Sequence, residues 1–512
     1  MNFTYFLFFI CIIICTLIIT YWAARRSKTT LQFYTAAGSL TGVQNGMAIA
    51  GDYISAASFL GIVGAIALNG YDGFLYSLGF LVSYLVVLLF VAEPVHHLGT
   101  YSLGDVICKR FANDDIRLLM AIGSFIISVF YMIPQLVASG LLLRLLLNLD
   151  YSTSVLIIGS LMTVYVVFGG MIATSWVQIV KTVLLMSSTF LLALIVFSFY
   201  EWNLVALIEE VKLGTPLGDQ FFLPGHLLES PIEMLSLYIA LLLGTAGLPH
   251  ILIRFYTVKN AKEVRKSVLT ASGIIGLFYI MTLTLGLGTA AVIGYDTLIA
   301  QDSTGNLAAP LLAKALGGDF LLAFISAIAF TTVVAVVAGL VISATTAFSH
   351  DIYHHIIKKG NTSEKEQLRA AQISAFAIGL ISTLFALGLK NVNVTFLVSL
   401  TFIIAASSNL PVLLLTIYWR KFSKAGAVIG MMLGLVASVL LLILGPHIMH
   451  PENGIISAEP IIPLYNPGII TIPIGFIGAI LGSYMFPNNT SFDFDAFYMK
   501  AQTGIDVGSQ ER

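Results

Sequence analysis

About thirteen stretches of roughly 20 apolar residues follow one another along this chain, and no other feature restricts its fold as much. In hydrocarbon every backbone N–H and C=O must be paired internally, so segments of this length cross as helices. The stretches are 3–22, 42–69, 74–96, 118–147, 152–171, 174–200, 232–256, 267–293, 319–349, 370–389, 392–418, 424–445 and 467–486. The chain is 58% hydrophobic and 10% charged, against about 25% charged in a soluble domain. The reading is an all-α polytopic membrane protein with little mass outside the bilayer. A net charge of −1 offers no basic surface for nucleic acid. Cys11 and Cys15 share one face of the first span and read as small buried hydrophobes rather than a metal site.

Basic residues set the orientation. With the N-terminus outside, 21 of the 25 Lys and Arg fall on the inner side, with Arg254 counted in an inner loop and Lys181 near an inner helix end. Only Arg144, Lys212, Lys314 and Lys390 fall outside. The uncharged front of 3–22, followed by Arg25, Arg26 and Lys28, reads as a spanning helix rather than a cleaved signal. No Walker A, HExxH or GxSxG pattern occurs, so neither an enzyme nor an ATP-driven pump is expected.

Asp52 lies near the middle of the apolar stretch SLTGVQNGMAIAGDYISAASFLGIVGAIALNG. A carboxylate at that depth costs about 2.5–3.5 kcal/mol on insertion scales and normally faces a cavity or a partner. Gly51, Tyr53, Ser55, Ala56, Ala57 and Ser58 around it suit a broken helix better than a continuous one. A break frees peptide groups to bind ions and substrates. The plainer reading pairs Asp52 with a basic or hydroxyl neighbour.

A second break is expected in ALLLGTAGLPHILIRFYTV, residues 240–258, where Pro249 removes a donor and disfavours helix at Leu248. It lies five spans after the first. Since five is odd, two five-helix halves run in opposite senses through the membrane. Residues 1–486 thus read as one transmembrane transporter domain: a leading helix at 3–22, a first repeat at 42–200, a second repeat at 232–418 and two trailing helices within 424–486. Residues 487–512 read as a polar, flexible cytoplasmic tail. Gly426, Gly430 and Gly434, and then Gly475, Gly478 and Gly482, read as close-packing stripes. His250 reads as a packing residue or a titrating one. Glu93, Arg110 and Arg117 read as an inner charge network, and His350 with His354 as a solvated helix end rather than a metal site.

The stretches GVQNGMAIAGDYISAASFLG (42–61), NGYDGFLYSLGFLV (69–82), YVVFGGMIATSWVQIVK (165–181), GTAGLPHILIRFYTV (244–258) and VVAGLVISATTAFSHDIY (336–353) carry a resemblance. The chain is similar to the solute:sodium symporters and looks most like their cation/acetate symporter (acetate permease) branch. That resemblance implies a LeuT-like five-plus-five inverted-repeat fold, alternating access, and acetate or another short monocarboxylate as substrate. It implies a cation between the second and ninth spans, on the carbonyls of Gly51 and Ile54 and on Thr332, Ala335 and Val336. Ala335 and Val336 stand where sodium-coupled relatives carry hydroxyl residues, and Ser175 stands where many carry an acid. Thr331, Thr332, water or Asp52 would complete the shell of a hard cation. Asp52 could equally carry a proton. No prosthetic group is expected, only sodium or a proton as coupling ion.

Acetate needs a few donors and a small apolar lid. The amides of Ser55, Ala56, Ala57 and Ser58, at the start of the outer half of the second span, suit a carboxylate. Thr245 and Gly247 would face them, with Phe59 and Tyr76 limiting size. The expected function is import of acetate or a similar monocarboxylate by cation symport, through a bacterial inner membrane. The alternatives are proton coupling, a substrate such as pyruvate, lactate or propionate, and a carboxylate channel.

Overall fold

The computed structural model describes residues 30–167, 170–227, 230–389, 392–451, 456–488 and 492–506, with scattered positions before 30. The leading helix at 3–22 and the Gly169 position of the glycine pair lie outside the described residues. Among the described residues nine helices are long and apolar enough to cross a membrane, or eleven if each of two bent pairs counts as one span. The expected span at 152–171 is a 17-residue helix, too short to join them.

The first bent pair is α1 (Gly42–Tyr53) and α2 (Ala57–Asn69), meeting at 60°. Then come α3 (Tyr71–Leu98), α4 (Leu103–Phe111), α5 (Asp114–Leu147), α6 (Tyr151–Val167) and α7 (Met171–Phe199). The second bent pair is α8 (Pro231–Gly247) and α9 (Pro249–Thr257), meeting at 45°. It is followed by α10 (Ala261–Val292), α11 (Ala308–Ile357), α12 (Glu364–Gly388) and α13 (Val394–Tyr418). Two further helices, α14 (Lys424–Ile443) and α15 (Gly468–Met485), pack on this core.

Capping boxes fix where helices start, and α12 begins ahead of its apolar stretch for that reason. Thr41 and Gln44 close a capping box that starts α1, and Ser363 with Glu366 does the same for α12; each satisfies first-turn amides that would otherwise lie unpaired. α11 kinks at Gly317 and Gly318, where Gly318 adopts φ 64°. It is as enclosed as α13 and more so than the other long helices, with a charge-free length from Leu321 to Ala347, and it packs on α5, α7 and α12.

Glycines set the approach of α14 to α15. A Cβ at Gly430 would fall 2.4 Å from the Ala479 Cβ, and one at Gly434 1.8 Å from the Ser407 carbonyl. The tail departs from the flexible reading: Phe494–Thr503 is helical, buries Phe497 and Ala501, and offers the Ala501 carbonyl to His97 Nδ1 at 2.8 Å.

Candidate functional site

α1 ends at Tyr53 because Ile54 leaves helical geometry (ψ 86°). Helix resumes at Ala56, where the Ser55 Oγ caps it by accepting the Ser58 amide at 3.2 Å. Two carbonyls freed at this break, those of Gly51 and Ile54, accept hydrogen bonds from the Lys181 ammonium on α7, the Ile54 contact at 2.6 Å. Lys181 is 0% exposed, deep in the protein and not at the inner helix end where charge counting placed it.

The Asp52 carboxylate is held from two elements, α9 and α7. Its Oδ2 accepts from Arg254 Nε at 2.5 Å, and its Oδ1 from Gln178 Nε2 at 2.5 Å. Gln178 also donates to the Ala335 carbonyl on α11 at 2.7 Å. Arg254 sends Nη1 to Ser175 Oγ at 2.6 Å, and its own carbonyl accepts from Asn45 Nδ2 at 3.0 Å. Thus Ser175 meets a guanidinium. Arg254 is no loop charge: it and Asp52 are each 1% exposed. α11 passes so close that a Cβ at Gly339 would lie 2.4 Å from Asp52 Oδ1. One buried carboxylate therefore faces two buried cations. Removing one partner of such a group is strongly destabilising, since it strands a charge in low dielectric.

The two breaks are joined through Tyr53. Its hydroxyl lies 2.9 Å from the Phe80 carbonyl, 3.1 Å from Ser83 Oγ and 3.2 Å from Thr245 Oγ1. Gly247 offers its carbonyl to Asn409 Nδ2 at 2.9 Å. Thr331 and Thr332 donate to Ala327 and Ile328 of their own helix, leaving hydroxyl lone pairs free to accept. Ala56 and Ala57 are buried, and the Ala57 carbonyl accepts from Thr395. Tyr76 is not brought to the break. It packs its ring 5.5 Å from Phe396, while Phe80 and Tyr84 occupy the level of Tyr53.

Residues that the sequence reading passed over border the same region. The Tyr131 ring on α5 meets His250 edge-on at 4.9 Å and Phe402 at 6.3 Å. Both ring nitrogens of His250 and both amide atoms of Gln135 are buried without a hydrogen-bond partner. Buried polar groups are almost always satisfied, so such a set is what a polar ligand would complete. Gln135 follows Pro134 inside α5, and a polar residue beside an intrahelical proline was a readable signal.

A second charged cluster gathers the first turns of α4 and α5 and the last turns of α11. Arg117 Nη1 bridges Asp105 Oδ1 at 2.9 Å and Asp351 Oδ1 at 2.8 Å. Ser102 Oγ also donates to Asp351, at 2.9 Å. The expected network of Glu93, Arg110 and Arg117 does not form: Glu93 pairs with Arg265, and Arg110 gathers the carbonyls of Thr416, Trp419, Arg420 and Phe422. Asp105, His350 and His355 bring ligating atoms within 4.8 Å of one another, but Arg117 already occupies the Asp105 oxygen.

The Sodium:solute symporter family model matches residues 33–434. The chain belongs to this family. An uncharacterized symporter, YwcA of Bacillus subtilis (strain 168), is 56% identical over 509 residues, covering 99% of each chain. A substrate-bound, outward-open Na+-coupled sialic acid symporter shares the fold with a TM-score of 0.70 at 16% identity, covering 96% of this chain and all of that one. Mhp1, a nucleobase-cation-symport-1 family transporter, aligns with a TM-score of 0.54 at 11% identity, covering 91% and 98%. The chain is a multi-pass membrane transporter of LeuT-like fold, a cation-coupled symporter and not an enzyme.

Proposed function

We propose that this symporter imports acetate or a similarly short monocarboxylate through a bacterial inner membrane by alternating access. The repeats at 42–200 and 232–418 move against each other, with the N-terminus outside and the C-terminus in the cytoplasm. The observation that carries the reading is the break at Ile54–Ser55. It leaves the first-turn amides of Ser55, Ala56 and Ala57 without a carbonyl one turn earlier in α2, and it lies beside one carboxylate and two cations. Unpaired amides at a helix start and a surplus of positive charge both favour a small anion. The unpaired His250 and Gln135 groups supply further donors, and Phe59 and Phe402 the apolar walls.

Coupling follows as linkage: cation and carboxylate each raise the other's affinity by one shared factor. Labelled-acetate uptake into proteoliposomes, with sodium and proton gradients imposed separately and propionate, pyruvate and lactate as competitors, tests the reading. Accumulation above the external concentration, inhibited by short carboxylates, is the expected result. Equilibration without accumulation would identify a channel instead, and indifference to all four carboxylates would remove the substrate assignment.

A further inference from the structure

We propose that the Lys181 ammonium takes the place of a bound metal cation at the helix break, so that no sodium ion rests there in this chain. The inference rests on the carboxylate-symport reading and names the positive charge beside its substrate. Gly51 and Ile54 present the two carbonyls on which a cation at the break would rest, and both point at Nζ. A metal ion and an ammonium cannot share them. Of the three α11 positions implied as ligands only Thr332 carries a side-chain oxygen; Ala335 and Val336 have none, and Ala335 gives its carbonyl to Gln178. That set is poor for a hard cation, which wants several oxygens. It suits an ammonium, which needs three acceptors at most.

The ionisable groups around Lys181 are few. Asp52 on α1 acts on it directly, and Arg254 on α9 already pairs with Asp52. α10 contributes Tyr279 within its apolar length and Glu263, Arg265 and Lys266 at its inner start. The short helix Thr30–Thr35 contributes Tyr34. The part of α11 from Leu321 to Ala347 contributes none. With Asp52 matched by Arg254, Lys181 is the charge left over, and its ammonium ties Gly51 to Ile54 across the bend while the carboxylate binds nearby.

The test has two arms. The first measures radiolabelled sodium binding to the purified full chain. Wild type shows no saturable binding, and Lys181→Ala, which vacates the two carbonyls, gains it. Saturable sodium binding by wild type overturns the proposal, and this measurement needs no variant to fold. The second arm follows labelled acetate in proteoliposomes, corrected for protein-free vesicles. Wild-type uptake is unchanged when choline replaces sodium, and Lys181→Arg, which keeps a positive charge at the two carbonyls, still gains no saturable sodium binding. Accumulation driven by a sodium gradient alone overturns the proposal. If acetate is not transported at all, the substrate reading fails and the sodium-binding arm still decides the role of Lys181.

Discussion

Asp52 and Asp351 are each 1% exposed and each meets an arginine, yet their surroundings are opposite. Around Asp52 one carboxylate faces Arg254 and Lys181, with broken-helix carbonyls completing the set. Around Asp351 two carboxylates share one guanidinium, helped by Ser102 and His350. The first arrangement has positive charge to spare and unpaired polar atoms near it, as a site for a mobile anion requires. The second spends its one guanidinium on two acids at neighbouring helix ends and leaves over a carboxylate oxygen, Asp351 Oδ2, while Arg117 retains some contact with water. Both look alike as ion pairs. What separates a working site from a clasp is which groups are left unspent.

Four experiments probe that contrast. Asp52→Asn strands two cations in the interior and has the largest effect: a stability loss of about 3–5 kcal/mol, seen as a lowered thermal midpoint, and no concentrative uptake. Normal accumulation at normal protein levels would remove Asp52 from the mechanism. Arg117→Gln leaves two buried carboxylates face to face beside a narrow opening to water and costs about 1–3 kcal/mol. Part of that loss returns as the pH is lowered and one acid takes up a proton; a loss independent of pH would mean that packing, not charge, is at work.

Asp105 gives a smaller, signed effect. Burial alone would raise its carboxyl, but the His350 hydrogen bond and the charges of His350 and Arg117 hold it below the usual carboxylate range. A depressed acid contributes stability above its unfolded value, about 3.9, that is lost only as the pH falls through its folded value. Thermal midpoints of Asp105→Asn therefore fall below wild type at neutral pH and converge with it in strong acid. The smallest effect comes from Arg265→Ala at the exposed pair with Glu93. It leaves the midpoint unchanged within error, because solvated pairs contribute little. A marked drop there would show that exposure is a poor guide to which of this chain's ion pairs matter.

The broken helices could be read from the sequence because their cause is local. Small residues beside Asp52, and Pro249 after a glycine-rich turn, each act within a few positions of the bend. The partners of Asp52 were not legible. Arg254 lies 202 residues away, and charge counting treats every basic residue near a helix end as solvated. The rule that singled out Asp52, that an ionisable group inside an apolar stretch wants a functional reason, applied equally to Lys181 and Arg254. It was overridden by their use as orientation markers. Tyr131 and Gln135 went unnoticed because a long apolar helix hides which side faces the centre until its neighbours are placed. The substrate class rests on resemblance to relatives, since few polar atoms recognise a molecule as small as acetate.

Tyr53 sits at the end of one half-helix, and its hydroxyl reaches Ser83 and Thr245. The two discontinuities thereby share a single pivot, although they belong to halves of the chain that run in opposite senses. Under the proposed alternating access, rotating either segment would drag on the other through one phenol ring, gearing the opening on one face of the membrane to the closing on the other. A phenylalanine there would keep the ring and remove the gear tooth.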